Sequence, residues 1–138
     1  MNHDNAMQMH RALAPRPHAV IDYALVALLL LAPSWLAFGG LAAGCSYALA
    51  AIHGFMSLIT TYPGGIWRII PFPAHGKLEL IIGSLLVIVP WFVPFEGDAK
   101  ARGFFIVVGL AVLAVYALTN YLAAEDHDVA ARPSAGAV

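Results

Sequence analysis

The sequence predicts an all-α polytopic membrane protein, built as four transmembrane helices in two tandem helical hairpins. Three observations predict this class. Of 138 residues, 61% are hydrophobic and only 11% are charged, whereas an ordinary soluble domain carries roughly 25% charged residues. Four apolar windows each come close to the roughly 20 residues that a helix needs to cross hydrocarbon. The first and third windows also share a residue pattern, so the chain reads as one unit used twice. The strict alternation of a membrane barrel is absent. A net charge of −1 gives no basic face for nucleic acid, so the expected surroundings are the lipid bilayer.

The elements follow in order. Residues 1–16 form a polar N-terminal tail, expected to be mobile. Pro15 and Pro17 then introduce the first span, because proline at a helix start lacks an N–H that would have no partner there anyway. The spans are expected over Ala19–Phe38, Leu41–Tyr62, Leu78–Phe95 and Gly103–Leu122, and Asp22 and Glu79 are their only charged residues. Residues 17–62 make the first hairpin and 75–122 the second. Between them, 63–74 is rich in proline and glycine but carries Ile66, Trp67, Ile69 and Ile70 around Arg68, as a segment at headgroup level would. Residues 123–138 are a second mobile tail. Arg11, Arg16, Arg68, Lys77 and Arg132 fall on one side, against Lys100 and Arg102 on the other. Positive residues favour the cytoplasmic side, so both termini are expected in the cytoplasm and the protein in the inner membrane.

Sliding the chain by 57 residues places His18 on His75, Asp22 on Glu79, Pro33 on Pro90 and Phe38 on Phe95. In the second helix of each hairpin the offset becomes 59, and Thr60 falls on Thr119 and Tyr62 on Tyr121. An even number of spans separates the copies, so both hairpins point the same way, and a pseudo-twofold along the membrane normal relates them.

The string Pro17-His18-Ala19-Val20-Ile21-Asp22-Tyr23, the Pro33-Ser34-Trp35 and Pro90-Trp91 motifs, and Arg68-Ile69-Ile70-Pro71-Phe72-Pro73-Ala74-His75 resemble the SPW-repeat family of small bacterial and archaeal membrane proteins. The resemblance covers roughly residues 15–121. It implies hairpins with a Ser-Pro-Trp motif in the first helix of each pair, and it implies no particular activity. In this chain the first copy reads Pro-Ser-Trp and the second Val-Pro-Trp.

Five residues could form an intramembrane polar site: His18, Asp22, His53, His75 and Glu79. His18 with Asp22, and His75 with Glu79, are spaced i, i+4 and share a helix face. Two imidazoles and two carboxylates about a twofold would suit a divalent metal, or the acids could relay protons. The plainer reading is that these are acids favoured by a helix N-terminus, with histidines at the interface, all within reach of water. His53 lies roughly 13 Å from the end of its span at helical rise. Its repeat counterpart is Val112, and at that depth His18 and His75 are expected to be too shallow to share a haem with it. A hydrogen bond across helices, for example to Asp22 or Glu79, is the simpler expectation.

Pro33 and Pro90 should kink or end their helices, with Trp35 and Trp91 anchoring that edge of the bilayer. Ser46, Ala50 and Gly54 form a small-residue stripe that lets a helix approach closely, within the bundle or from a second copy. Ser34, Ser46, Ser57 and Ser84 have no evident base nearby, so no catalytic residue is expected. The leading expectation is therefore a non-enzymatic structural, accessory or interaction module without a cofactor, acting as a homodimer or within a larger membrane complex. The alternative is a metal-, haem- or proton-handling protein, with His18, Asp22, His75 and Glu79 as metal ligands.

Overall fold

In the computed structural model, residues 12–93, 95 and 98–121 are described. Most of both expected tails, with Arg11 and Arg132, lies outside them. Four helices long and apolar enough to cross a membrane make up the bundle. They are α1 (Pro15–Leu36), α2 (Gly40–Ile59), α3 (Phe72–Ile88), which continues as a 3₁₀ turn over Val89–Trp91, and α4 (Ala99–Leu118).

Local chemistry sets their ends. Pro15 opens α1, and α1 closes where Ala37 takes a left-handed conformation (φ 55°) and returns its N–H to the carbonyl of Pro33, a common helix stop. In α3, Pro73 lies in the first turn, while Pro90 tightens the far end into the 3₁₀ turn. Asp98 caps α4, with Oδ1 accepting from the backbone N–H of Lys100 (2.8 Å) and Ala101 (3.2 Å). Proline and capping signals thus start α1, α3 and α4 four to six residues before the apolar windows do. This moves His18, Asp22, His75 and Glu79 deeper into their helices than the sequence reading expected.

Each hairpin packs along its own length. In the first, Ser46 donates to the carbonyl of Leu29 (2.6 Å), Ala50 is buried, and a Cβ at Gly54 would just touch Val26. The small-residue stripe therefore receives α1 within the bundle. In the second, Gly83 and Gly109 face each other so closely that a Cβ on Gly109 would come within 2.8 Å of the Gly83 carbonyl oxygen.

The hairpins are joined by a crossed closure. A two-residue parallel ladder pairs β1 (Thr60–Thr61) with β2 (Ile70–Pro71), immediately before α3. Its counterpart is a parallel bridge between Leu13 and Thr119, with Leu13 N–H donating to Leu118 O and Asn120 N–H to Leu13 O, each at 2.9 Å. Leu13 is the repeat equivalent of Ile70, and Thr119 of Thr60. The segment before each hairpin thus pairs with the end of the other, and the pseudo-twofold closes on itself. Leu13 thus pairs within this closure, and Pro15 already belongs to α1.

The two ends of the bundle differ. Away from the closure, Ala32, Phe38, Ala42, Phe95, Ala101 and Phe105 form an apolar cluster in which Phe95 stacks on Phe105 at 5.2 Å. Trp35 and Trp91 are exposed at that end, and the Arg102 guanidinium lies 5.7 Å from the Trp91 ring. At the closure end Ala19, Tyr62, Phe72 and Tyr121 pack together, and the polar residues are buried beneath them.

Replacing Gly109 with Val should push α3 and α4 apart and cost about 1–3 kcal/mol, the range for overpacking a tight contact. Gly44→Ala, in open space on α2, should leave stability unchanged or raise it by up to about 1 kcal/mol through helix propensity. Thermal unfolding of the two variants in one detergent checks the contrast.

Candidate metal centre

All five sequence candidates meet at one place. His18 and Asp22 come from α1, His53 from α2, and His75 and Glu79 from α3. His18, Asp22, His75 and Glu79 expose between 0% and 2% of their surface, and His53 is buried as well. The expectation that the acids lie within reach of headgroup water is therefore corrected, because the Tyr62–Phe72–Tyr121 layer covers them. The expectation that His18 and His75 are too shallow to meet His53 is corrected too. With α2 ending at Ile59, His53 lies six residues inside it, roughly 9 Å at helical rise, while Asp22 lies seven residues inside α1, roughly 10 Å. The two are level, and the ring centroids of His53 and His75 are 6.1 Å apart.

The geometry of the cluster is that of donors turned to a common point. One ligand atom from each of His18, Asp22, His75 and Glu79 lies within 4.8 Å of all the others. His18 Nε2 is 3.5 Å from Asp22 Oδ1 and 3.5 Å from Glu79 Oε2. His75 Nε2 is 3.4 Å from Asp22 Oδ2 and 3.6 Å from Glu79 Oε1. His53 Nε2 is 3.4 Å from Asp22 Oδ1. The Nε2 atoms of all three histidines are buried without a hydrogen-bond partner.

The other face of each symmetric histidine is held firmly. His18 Nδ1 meets Thr119 Oγ1 at 2.8 Å, and His75 Nδ1 meets Thr60 Oγ1 at 2.9 Å. Each hydroxyl donates its proton four residues back, Thr119 to Val115 O (2.6 Å) and Thr60 to Met56 O (2.7 Å). The threonines therefore accept from the rings, and both Nδ1 atoms are donors. In the neutral ring Nε2 then carries the lone pair, aimed at the centre. Orientation of a ligating histidine through its second nitrogen is a regular feature of metal sites.

The carboxylates are held in the same paired way. Tyr62 OH donates to Asp22 Oδ2 (2.8 Å) and Tyr121 OH to Glu79 Oε2 (2.9 Å). Burial pushes both phenols well above the ordinary tyrosine range, and the adjoining Asp22 and Glu79 charges push the same way, so the tyrosines remain protonated donors. A Cβ on Gly76 would lie 2.5 Å from the Tyr121 ring, so only glycine there lets that ring lie over α3. Thr60, Thr119, Tyr62 and Tyr121 were not among the sequence candidates. The signal was in the repeat, where both types recur in equivalent positions.

No family model, curated protein or solved structure matches the chain. The donor set itself carries the chemistry: up to three imidazole nitrogens and two carboxylates, with no sulfur, since the single cysteine, Cys45, packs beside the apolar cluster at the other end. Such N/O sets suit divalent first-row metals. Pro33, Trp35, Pro90 and Trp91 belong to the far end and take no part.

The threonine geometry makes a direct prediction. In ¹⁵N–¹H long-range correlation spectra of histidine-labelled protein, His18 and His75 should appear as Nδ1–H tautomers when neutral. T119V should change only the His18 pattern and T60V only that of His75. Nε2–H tautomers in the parent protein would contradict the arrangement.

Proposed function

We propose that this is a multi-pass inner-membrane protein that holds one divalent transition-metal ion between its two hairpins. His18, Asp22, His75 and Glu79 are the core ligands and His53 a fifth. The observation that carries this reading is the convergence, on two buried carboxylates, of three Nε2 atoms that make no hydrogen bond. If protonated histidines neutralised the acids instead, charge-assisted hydrogen bonds of about 2.7–2.9 Å would be expected. Neighbouring ligands on an ion bound at about 2.0–2.2 Å stand roughly 3.0–3.5 Å apart, close to the 3.4–3.6 Å separations here. Burying carboxylates costs several kcal/mol each unless an opposite charge compensates, and a dication balances two of them with the histidines neutral.

A bare ion suits the space better than haem. The carboxylates lie between the histidine rings, where a planar macrocycle would have to pass. The centre is also closed along the bundle, by the Tyr62–Phe72–Tyr121 layer on one side and the aromatic cluster around Phe95 and Phe105 on the other. This favours a resident ion over one in transit. The Lys/Arg bias supports a cytoplasmic position for the closure end and both termini, and the repeat motifs support placing the chain with the SPW-repeat family. A purely structural module keeps one support, since the crossed His–Thr bonds tie the hairpins together without any ion.

Equilibrium dialysis and metal analysis of the detergent-purified full chain separate the two. One divalent ion per chain is expected, lost in Asp22→Asn, Glu79→Gln and His75→Ala and retained in Ser84→Ala. A metal-free protein whose site variants lose only thermal stability would establish the structural module instead.

A further inference from the structure

The repeat symmetry of the centre is broken at one position, and the break opens a cleft. His53 of α2 and Val112 of α4 are repeat equivalents. On one side His53 reaches in to Asp22. On the other, Val112 offers no donor, and a cavity of about 230 Å³ lined by Val112 and Glu79 lies between α1 and α4. Its walls are Ile21, Leu25 and Leu28 of α1 and Ala111, Val112 and Val115 of α4, and it also touches Asp22 and Glu79. Ile21, Leu28 and Ala111 are exposed, whereas Val112, Asp22 and Glu79 are buried. The cleft therefore runs inward from the apolar flank of the bundle, the side that faces lipid, to the carboxylates.

Size, lining and charge together define an occupant. An apolar cavity of about 150 Å³ accepts benzene, so this one has room for a six-membered ring with substituents. Apolar walls favour a molecule that partitions into the bilayer. A dication with Asp22 and Glu79 is neutral overall, and a further anion would place an uncompensated charge in an apolar interior, so the ligand is uncharged. An ion held by these five side chains would have room for one further donor, and the place where the repeat would supply a fourth imidazole is taken by Val112.

Resting on the metal reading above, we infer that the α1–α4 cleft is a lateral binding site for a neutral, ring-sized, membrane-soluble molecule of the phenol or quinone class. The ring lies against Leu25, Val112 and Val115, and its single oxygen donor takes the open position on the ion beside Glu79.

The test uses the full-length protein in detergent loaded with Co(II), whose visible bands report coordination, and titrates it with phenol. The expected result is a saturable spectral change that toluene, lacking the oxygen, does not produce but does weaken by competition. Val112→Phe and, at the mouth, Ala111→Phe should bind Co(II) as tightly as the parent and raise the phenol concentration for half-saturation at least tenfold. Ala111→Phe keeps the test in force if the deeper variant fails to fold. Co(II) binding with no saturable phenol response, or with the same response in the filled variants, overturns the cleft while leaving the metal centre standing. Failure to bind Co(II) at all overturns the metal reading and this inference with it.

Discussion

Two carboxylates buried in an apolar bundle are the constraint on which the rest of this structure depends. Asp22 and Glu79 sit where an unbalanced negative charge is expensive, and the polar side chains packed against them address that charge directly or at one remove. Tyr62 and Tyr121 each donate to one carboxylate, and three imidazoles turn Nε2 toward the pair. Thr60 and Thr119 hold two of those rings from behind. Because each threonine belongs to the hairpin opposite its histidine, holding the rings and closing the bundle are one act. The Leu13–Thr119 bridge and the Thr60–Ile70 pairing put those hydroxyls in place.

Much of this frame was legible in the sequence. The four spans, the doubled hairpin and the equivalence of Asp22 with Glu79 follow from hydropathy and a repeat offset, both local properties of the chain. Burial of the acids was not legible, because hydropathy windows place helix starts too late. The ends are set instead by Pro15, Pro73 and the Asp98 cap, and the two proline starts place the polar residues of α1 and α3 inward, at the level of His53. The roles of Thr60, Thr119, Tyr62 and Tyr121 were hidden for another reason. Their partners lie 15 to 101 residues away, and only the crossed closure brings them together. The repeat had marked all four by recurrence, but recurrence shows position and not partner.

Where the repeat fails is as informative as where it holds. Equivalent positions carry the same chemistry at 18 and 75, at 22 and 79, at 60 and 119, and at 62 and 121. His53 and Val112 part from that rule within the site itself. A symmetric pair of histidines would have surrounded an ion on both flanks, and a symmetric pair of valines would have left two apolar clefts. The chain has one of each, so the centre is enclosed toward α2 and open to the lipid-facing flank between α1 and α4. The small-residue contacts at Ser46 and Leu29, and at Gly83 and Gly109, keep each hairpin tight enough to hold that geometry.

The central claim, that these five side chains form one ligand set, is tested most directly by X-ray absorption at the zinc edge of the Zn(II)-loaded protein. The expected result is a first shell of nitrogen and oxygen alone at about 2.0–2.2 Å, with the outer-shell scattering of two to three imidazoles. A shell containing sulfur, or one with no imidazole scattering, would contradict it.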